Sequence, residues 1–227
     1  VLFRSYATNP LFQDWFDANA SVGFSYYGTV FTSAGNKRYK LDTVTPNSTT
    51  PQTVSGPLTF NGAYHTQWLV SFGLNGPIAS DAVGTVATIA GTDHPFGDFT
   101  WPEWVNDGGS VTFDYKSPIS ATAGKRYVRT STSTTSPISN VTAPVAVIAT
   151  YNTQYQISFD ATGLGADATG TLVTVAGNAK STVPFTDWFD ASSNLSYAYT
   201  DPVASSIPGK QYRWNSTSGL GQTAKSG

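Results

Sequence analysis

The chain has 227 residues, a formal charge of −2, 11 % charged and 14 % aromatic residues, and neither cysteine nor methionine. Such a balance excludes disulfides and thiolate metal sites, and it lacks the basic stripe that a nucleic-acid partner requires. Aromatic and β-branched residues are too plentiful for a disordered chain, and no apolar run approaches the roughly 20 residues of a membrane span.

In chain order, the first recognisable stretch is Phe12-Gln13-Asp14-Trp15-Phe16-Asp17, followed by Gly35-Asn36-Lys37-Arg38-Tyr39. Next comes Tyr64-His65-Thr66-Gln67-Trp68-Leu69-Val70-Ser71-Phe72. The tryptophan motif returns as Trp101-Pro102-Glu103-Trp104-Val105-Asn106-Asp107, and the basic-aromatic motif as Gly124-Lys125-Arg126-Tyr127. Tyr151-Asn152-Thr153-Gln154-Tyr155-Gln156-Ile157-Ser158-Phe159 repeats the Tyr64 stretch 87 positions on. Phe185-Thr186-Asp187-Trp188-Phe189-Asp190 and Gly209-Lys210-Gln211-Tyr212 then close a third round. Self-similarity at a fixed period marks an array of one unit.

Alternation with period two runs through Tyr155–Phe159, Ser110–Tyr115, Asn194–Tyr199 and Tyr212–Asn215, and Gly170–Gly177 is rich in β-branched residues. This is the pattern of half-buried strands. No window carries a 3.6-residue apolar stripe, and proline and glycine interrupt the chain too often for helices. The expectation is an all-β protein of tandem immunoglobulin-like antiparallel β-sandwich domains, each of six or seven short strands. The spacing divides the chain into 1–62, lacking a first strand, 63–149, complete, and 150–227, lacking a last strand. At the second junction Val141–Thr150 runs into Tyr151 without glycine, which predicts a fixed rather than a loose connection.

Trp15, Trp104 and Trp188 recur and are expected to fill the cores. The carboxylate pairs Asp14/Asp17, Glu103/Asp107 and Asp187/Asp190 have spacings that suit acid–base work or calcium. Their recurrence in every unit favours turn capping instead. His65 and His94 do not recur at equivalent positions. No nucleophile elbow, phosphate loop or dinucleotide fingerprint is present. The reading is therefore of no catalytic residues, no metal site and no cofactor. Five Asn-x-Ser/Thr sequons, at Asn19, Asn47, Asn140, Asn194 and Asn215, are candidate glycosylation sites.

The succession Tyr-x-Thr-Gln-Tyr-x-x-x-Phe, Gly-Thr-x-x-Thr-Val-x-Gly, Asp-Trp-Phe-Asp and Gly-Lys-x-Tyr resembles the tandem immunoglobulin-like repeats of prokaryotic, especially archaeal, cell-surface proteins. That resemblance implies an extracellular or cell-surface location and a structural or adhesive role, with no catalytic residues to carry over. The expected function is a non-enzymatic subunit of an extracellular filament or surface layer. Its partners would be copies of itself, joined by domain stacking and strand complementation, with glycans or a cell surface as further partners. The alternatives are an adhesin or glycan-binding module, or accessory domains of a large secreted hydrolase.

Overall fold

The computed structural model describes residues 13–46, 51–97 and 100–218. Val1-Leu2-Phe3, where the first unit is expected to begin at its second strand, lies with Phe12 and Asn47 outside the described residues. Every regular element described is a strand, and every pairing with a defined register is antiparallel. The all-β part of the expectation holds.

Two compact units are present. The first draws on described residues within 1–70, 103–110 and 139–145. There Lys37–Thr45 pairs with Thr29–Phe31 on one side and with Asn61–Asn75 on the other. Ser21–Val22 pairs with Gln52–Thr53. Phe24 packs on Phe60 at 4.2 Å between ring centroids, and the Tyr26 hydroxyl donates to the Phe60 carbonyl at 3.0 Å. Gly62 is required beside them, because a Cβ would lie 2.7 Å from the Tyr26 ring.

The second unit draws on described residues within 71–102, 111–138 and 146–227. One three-stranded sheet places Thr85–Ile89 between Phe113–Tyr115 and Thr92–Pro95. Ile119–Ser120, Lys125–Thr132, Val145–Phe159 and Phe185–Asp190 pair in that order. Further on, Val173–Val175 lies between Asn178–Lys180 and Tyr197–Tyr199, while Val203–Ser205 lies between Ala168–Thr169 and Gln211–Tyr212. The core sits on Phe72, Val86, Ala87, Tyr115, Tyr127, Val147 and Tyr151, each at most 1 % exposed. A second cluster gathers Phe159, Val173 and Val175 beneath Phe185, Phe189, Tyr197 and Tyr199.

Registers recur position by position. Lys37, Arg38 and Tyr39 stand opposite Trp68, Gln67 and Thr66, just as Lys125, Arg126 and Tyr127 stand opposite Tyr155, Gln154 and Thr153. Both ladders shift register at the corresponding place, between Leu41 and Thr43 and between Arg129 and Ser131. Ala87, Thr88 and Ile89 face Tyr115, Asp114 and Phe113; Val173, Thr174 and Val175 face Tyr199, Ala198 and Tyr197. The hairpins after these two strands turn on Ala90-Gly91 and Ala176-Gly177. All four residues have positive φ, as a two-residue primed turn demands.

The expected boundaries at 62/63 and 149/150 each fall inside an unbroken 15-residue strand, Asn61–Asn75 and Val145–Phe159. Neither junction contains a proline, whose missing N–H would interrupt a ladder.

Candidate functional site

Two polar clusters are built alike in the second unit. Asp81 lies in the turn closed by the Ala82 N–H donating to the Ala79 carbonyl. It accepts from the Tyr127 hydroxyl at 2.5 Å, from Lys125 Nζ at 2.9 Å and from the Thr122 hydroxyl at 3.3 Å. Asp167 lies in the turn closed by Ala168 N–H on the Gly165 carbonyl, and it accepts from the Ser205 hydroxyl at 2.5 Å, the Tyr212 hydroxyl at 2.6 Å and Lys210 Nζ. Each lysine also lies 4.8 Å from the centroid of the tyrosine two residues on. Alternation puts Lys125 and Tyr127 on the same face of their strand, which is why one carboxylate reaches both.

These bonds set the ionisation. The Tyr127 hydroxyl, then Lys125, hold the Asp81 carboxyl down to about 2. Ser205, Tyr212 and Lys210 hold Asp167 well below the usual carboxylate range. Lys125 is pushed up by Tyr127 and Asp81, and Tyr127 is raised by burial and then by its bond to Asp81. A lysine nucleophile needs a depressed pKa and a general base needs one near the working pH. Both groups here are moved the other way, so each cluster ties a hairpin to a turn. These aspartates do not stand out by composition or alternation. Their signal is the paired Asp81-Ala82-Val83-Gly84-Thr85 and Asp167-Ala168-Thr169-Gly170-Thr171.

A second arrangement occurs once in each unit. The Arg38 guanidinium lies 4.4 Å from the Trp104 ring centroid, and Arg126 lies 4.4 Å from Trp188. Arg38 Nε donates to Gln67 Oε1 at 2.7 Å, and Gln67 Nε2 passes a bond on to Asn106 Oδ1 at 2.8 Å. Arg126, Gln154 and Asp190 form the same relay at 2.8 and 2.9 Å. Burial lowers the Arg38 pKa, and Glu103 opposes that shift.

The three recurrent tryptophans are not the core residues they were expected to be. Trp15 is 98 % exposed, and Trp104 and Trp188 are half-buried beneath their arginines. Strand alternation explains it: with Phe185 and Phe189 against the Phe159 cluster, Trp188 must face the other way. In Trp101–Asn106 the inward residues are Trp101 and Val105, at 4 % and 7 % exposure, so the buried indole is Trp101.

Of the carboxylates, Asp14 and Asp187 cap the N–H of the following tryptophan at 2.9 and 2.8 Å. Asn106, rather than Asp107, is the counterpart of Asp190, since each accepts from the relay glutamine. Asp107 instead accepts from Trp68 Nε1 at 2.7 Å. His65 Nδ1 lies 2.5 Å from Asp42, and His94 packs on the Trp101 ring at 5.4 Å. Among the described residues no three His, Cys, Asp or Glu side chains gather as a metal site, and no helix is long and apolar enough to cross a membrane.

Asn19, Asn140, Asn194 and Asn215 are all exposed; Asn47 lies outside the described residues. Asn19 occupies the positive-φ position of the turn after its tryptophan segment, at φ 67, where Gly108 and Ser192 stand at 74 and 62. Its counterpart is thus Ser192, two residues before Asn194.

No family model, curated protein or solved structure matches the chain.

Proposed function

We propose that this chain is a non-enzymatic structural subunit of an extracellular filament or cell-surface layer, built from tandem immunoglobulin-like sandwiches and extended by domain stacking and strand complementation. The observation that carries this reading is the recurrence of one pairing register, with its bulge and its Arg–Trp–Gln relay, around Lys37–Tyr39 and around Lys125–Tyr127. Two unbroken strands cross the expected junctions, where a bead-like chain would carry flexible linkers. Recurrent residues here make cation–π stacks, caps and ion pairs, which hold backbone in place. Copies of the chain are the principal partner, and exposed sequon asparagines suit a glycosylated outer face.

Immunogold labelling of the source cells with an antibody to this chain tests the reading. Gold along fibres or a surface lattice is the expected result; gold confined to the cell interior contradicts it.

A second reading, an adhesin that binds glycans, is favoured by one observation: Trp15 and Phe16 are 98 % and 50 % exposed side by side. Aromatic faces of this kind stack on sugar rings. A glycan array comparing the parent chain with Trp15→Ala decides it, because Trp101 is buried and would report on stability instead.

A further inference from the structure

The two ladders that share a register carry different side chains on one face. Phe31, Arg38 and Gln67 lie directly across from one another, and so do Ser120, Arg126 and Gln154. In the next row Lys40 stands opposite His65, where the second ladder has Val128 opposite Asn152. Positions 38 and 40 are two apart, so alternation puts Arg38 and Lys40 on one face, with Phe31 beside them. The residues that brace the scaffold recur: the arginine, the glutamine and the tryptophan under the guanidinium. Phe31 in place of Ser120, and Lys40 in place of Val128, fall outside that recurrent set.

This face is open in the second ladder too, in mid-chain. Ser120 and Asn152 are exposed there, while Tyr127 and Thr153, on the opposite face, are buried. On the first ladder the open face carries a phenyl ring, since Phe31 is 58 % exposed. The sister strand manages with serine, so the fold itself does not require an aromatic there. The Phe31 ring meets Trp104 edge-on, with centroids 5.7 Å apart and planes at 68°. Arg38 lies over Trp104, and Lys40 is exposed. Gln67 takes one of the five donors of Arg38 and passes a bond to Asn106. Of the nearby acids, Asp42 is paired with His65. Glu103, whose charge reaches Arg38, alternates with Trp104 along Trp101–Asn106.

We propose that this face of the first unit binds an acidic polysaccharide, with one uronic-acid ring on Phe31 and its carboxylate between Arg38 and Lys40. The C–H face of a pyranose ring is flat and apolar, which suits an exposed phenyl plate. A carboxylate takes charge-assisted bonds from a guanidinium and an ammonium, and the side-chain amides of Gln67 and Asn106 offer donors and acceptors to ring hydroxyls. Two cations match one carboxylate per ring, whereas a phosphodiester chain calls for a longer basic stripe. The proposal goes beyond the structural reading and does not depend on it.

Isothermal titration of the intact chain with trigalacturonate and with trimannuronate tests the face, with maltotriose as the neutral arm and hexa-aspartate as the acidic-peptide arm. Saturable binding of at least one uronate is expected, at least tenfold tighter than maltotriose or the peptide. Phe31→Ser and Lys40→Val, which copy the second ladder, should each weaken it at least fivefold. Trp15→Ala should leave it unchanged, which separates this face from the glycan-binding reading at Trp15 and Phe16. Absence of saturable binding to both uronates, or equal binding of maltotriose or the peptide, overturns the proposal. So does unchanged binding after either substitution on the face, or its loss with Trp15→Ala. Should Phe31→Ser fail to fold, Lys40→Val still decides. A face overturned in this way leaves the structural reading standing, since that reading falls with the immunogold result.

Discussion

Arg126 lies over the Trp188 ring, its guanidinium carbon 4.4 Å from the ring centroid, while its Nε donates to Gln154 at 2.8 Å. The same relationship joins Arg38 to Trp104 through Gln67. A half-exposed cation–π contact contributes about 0.5–1 kcal/mol, and a side-chain hydrogen bond about 1 kcal/mol. Arg126→Ala should therefore destabilise the second unit by about 1–2 kcal/mol in urea unfolding. Arg126→Lys should recover only part of this, because an ammonium cannot stack and hold the glutamine with one planar fork.

The Asp81 cluster predicts a pH dependence. The folded carboxyl titrates at about 2, below its ordinary 3.8. A depressed carboxylate adds stability that is complete above the unfolded value and lost as pH falls through the folded one. Thermal melts taken from pH 5 down to pH 2 should show stability falling across that window. Asp81→Asn should flatten part of the fall; Asp167 and Asp93, depressed in the same direction, contribute to the remainder.

Two glycines in corresponding places should respond unequally. Gly76→Ala drives a Cβ to 2.2 Å from the Tyr151 carbonyl at φ +104, where backbone must move. A loss of about 3 kcal/mol or more is expected, at the upper end for single substitutions. Gly163→Ala meets no atom and carries only the left-handed backbone cost of about 1–2 kcal/mol. Chemical denaturation of both variants checks the contrast.

The tryptophans separate core from surface. Trp101→Ala should cost about 3–5 kcal/mol, as for a large buried aromatic, while Trp15→Ala should stay within about 0.5 kcal/mol of the parent. Differential scanning calorimetry of the two variants distinguishes them.

Alternation and the recurrence of Tyr-x-Thr-Gln and Gly-Lys-x-Tyr are enough to read an all-β chain from the sequence, and the regular elements among the described residues are strands. Which face a strand presents was less legible. Trp104 and Trp188 look like core residues by size, yet period two assigns the interior to Trp101, Val105, Phe185 and Phe189. An aromatic can lie on either face, and only the pairing partner, here an arginine two strands over, settles it. Asp81 and Asp167 are hard to pick out in the sequence for a related reason. Their partners are 38 to 46 residues away, and nothing local separates them from ordinary turn aspartates. The strands Asn61–Asn75 and Val145–Phe159, which run through the expected boundaries, are not legible as single strands in the sequence.

The proposal that this chain is building material is checked by electron microscopy of native material isolated without denaturant and identified by its peptides. Ordered fibres or sheets with a repeat along one axis, containing this chain as a major component, are the expected result. Dispersed, separate particles of the chain, with no ordered material containing it, would contradict it.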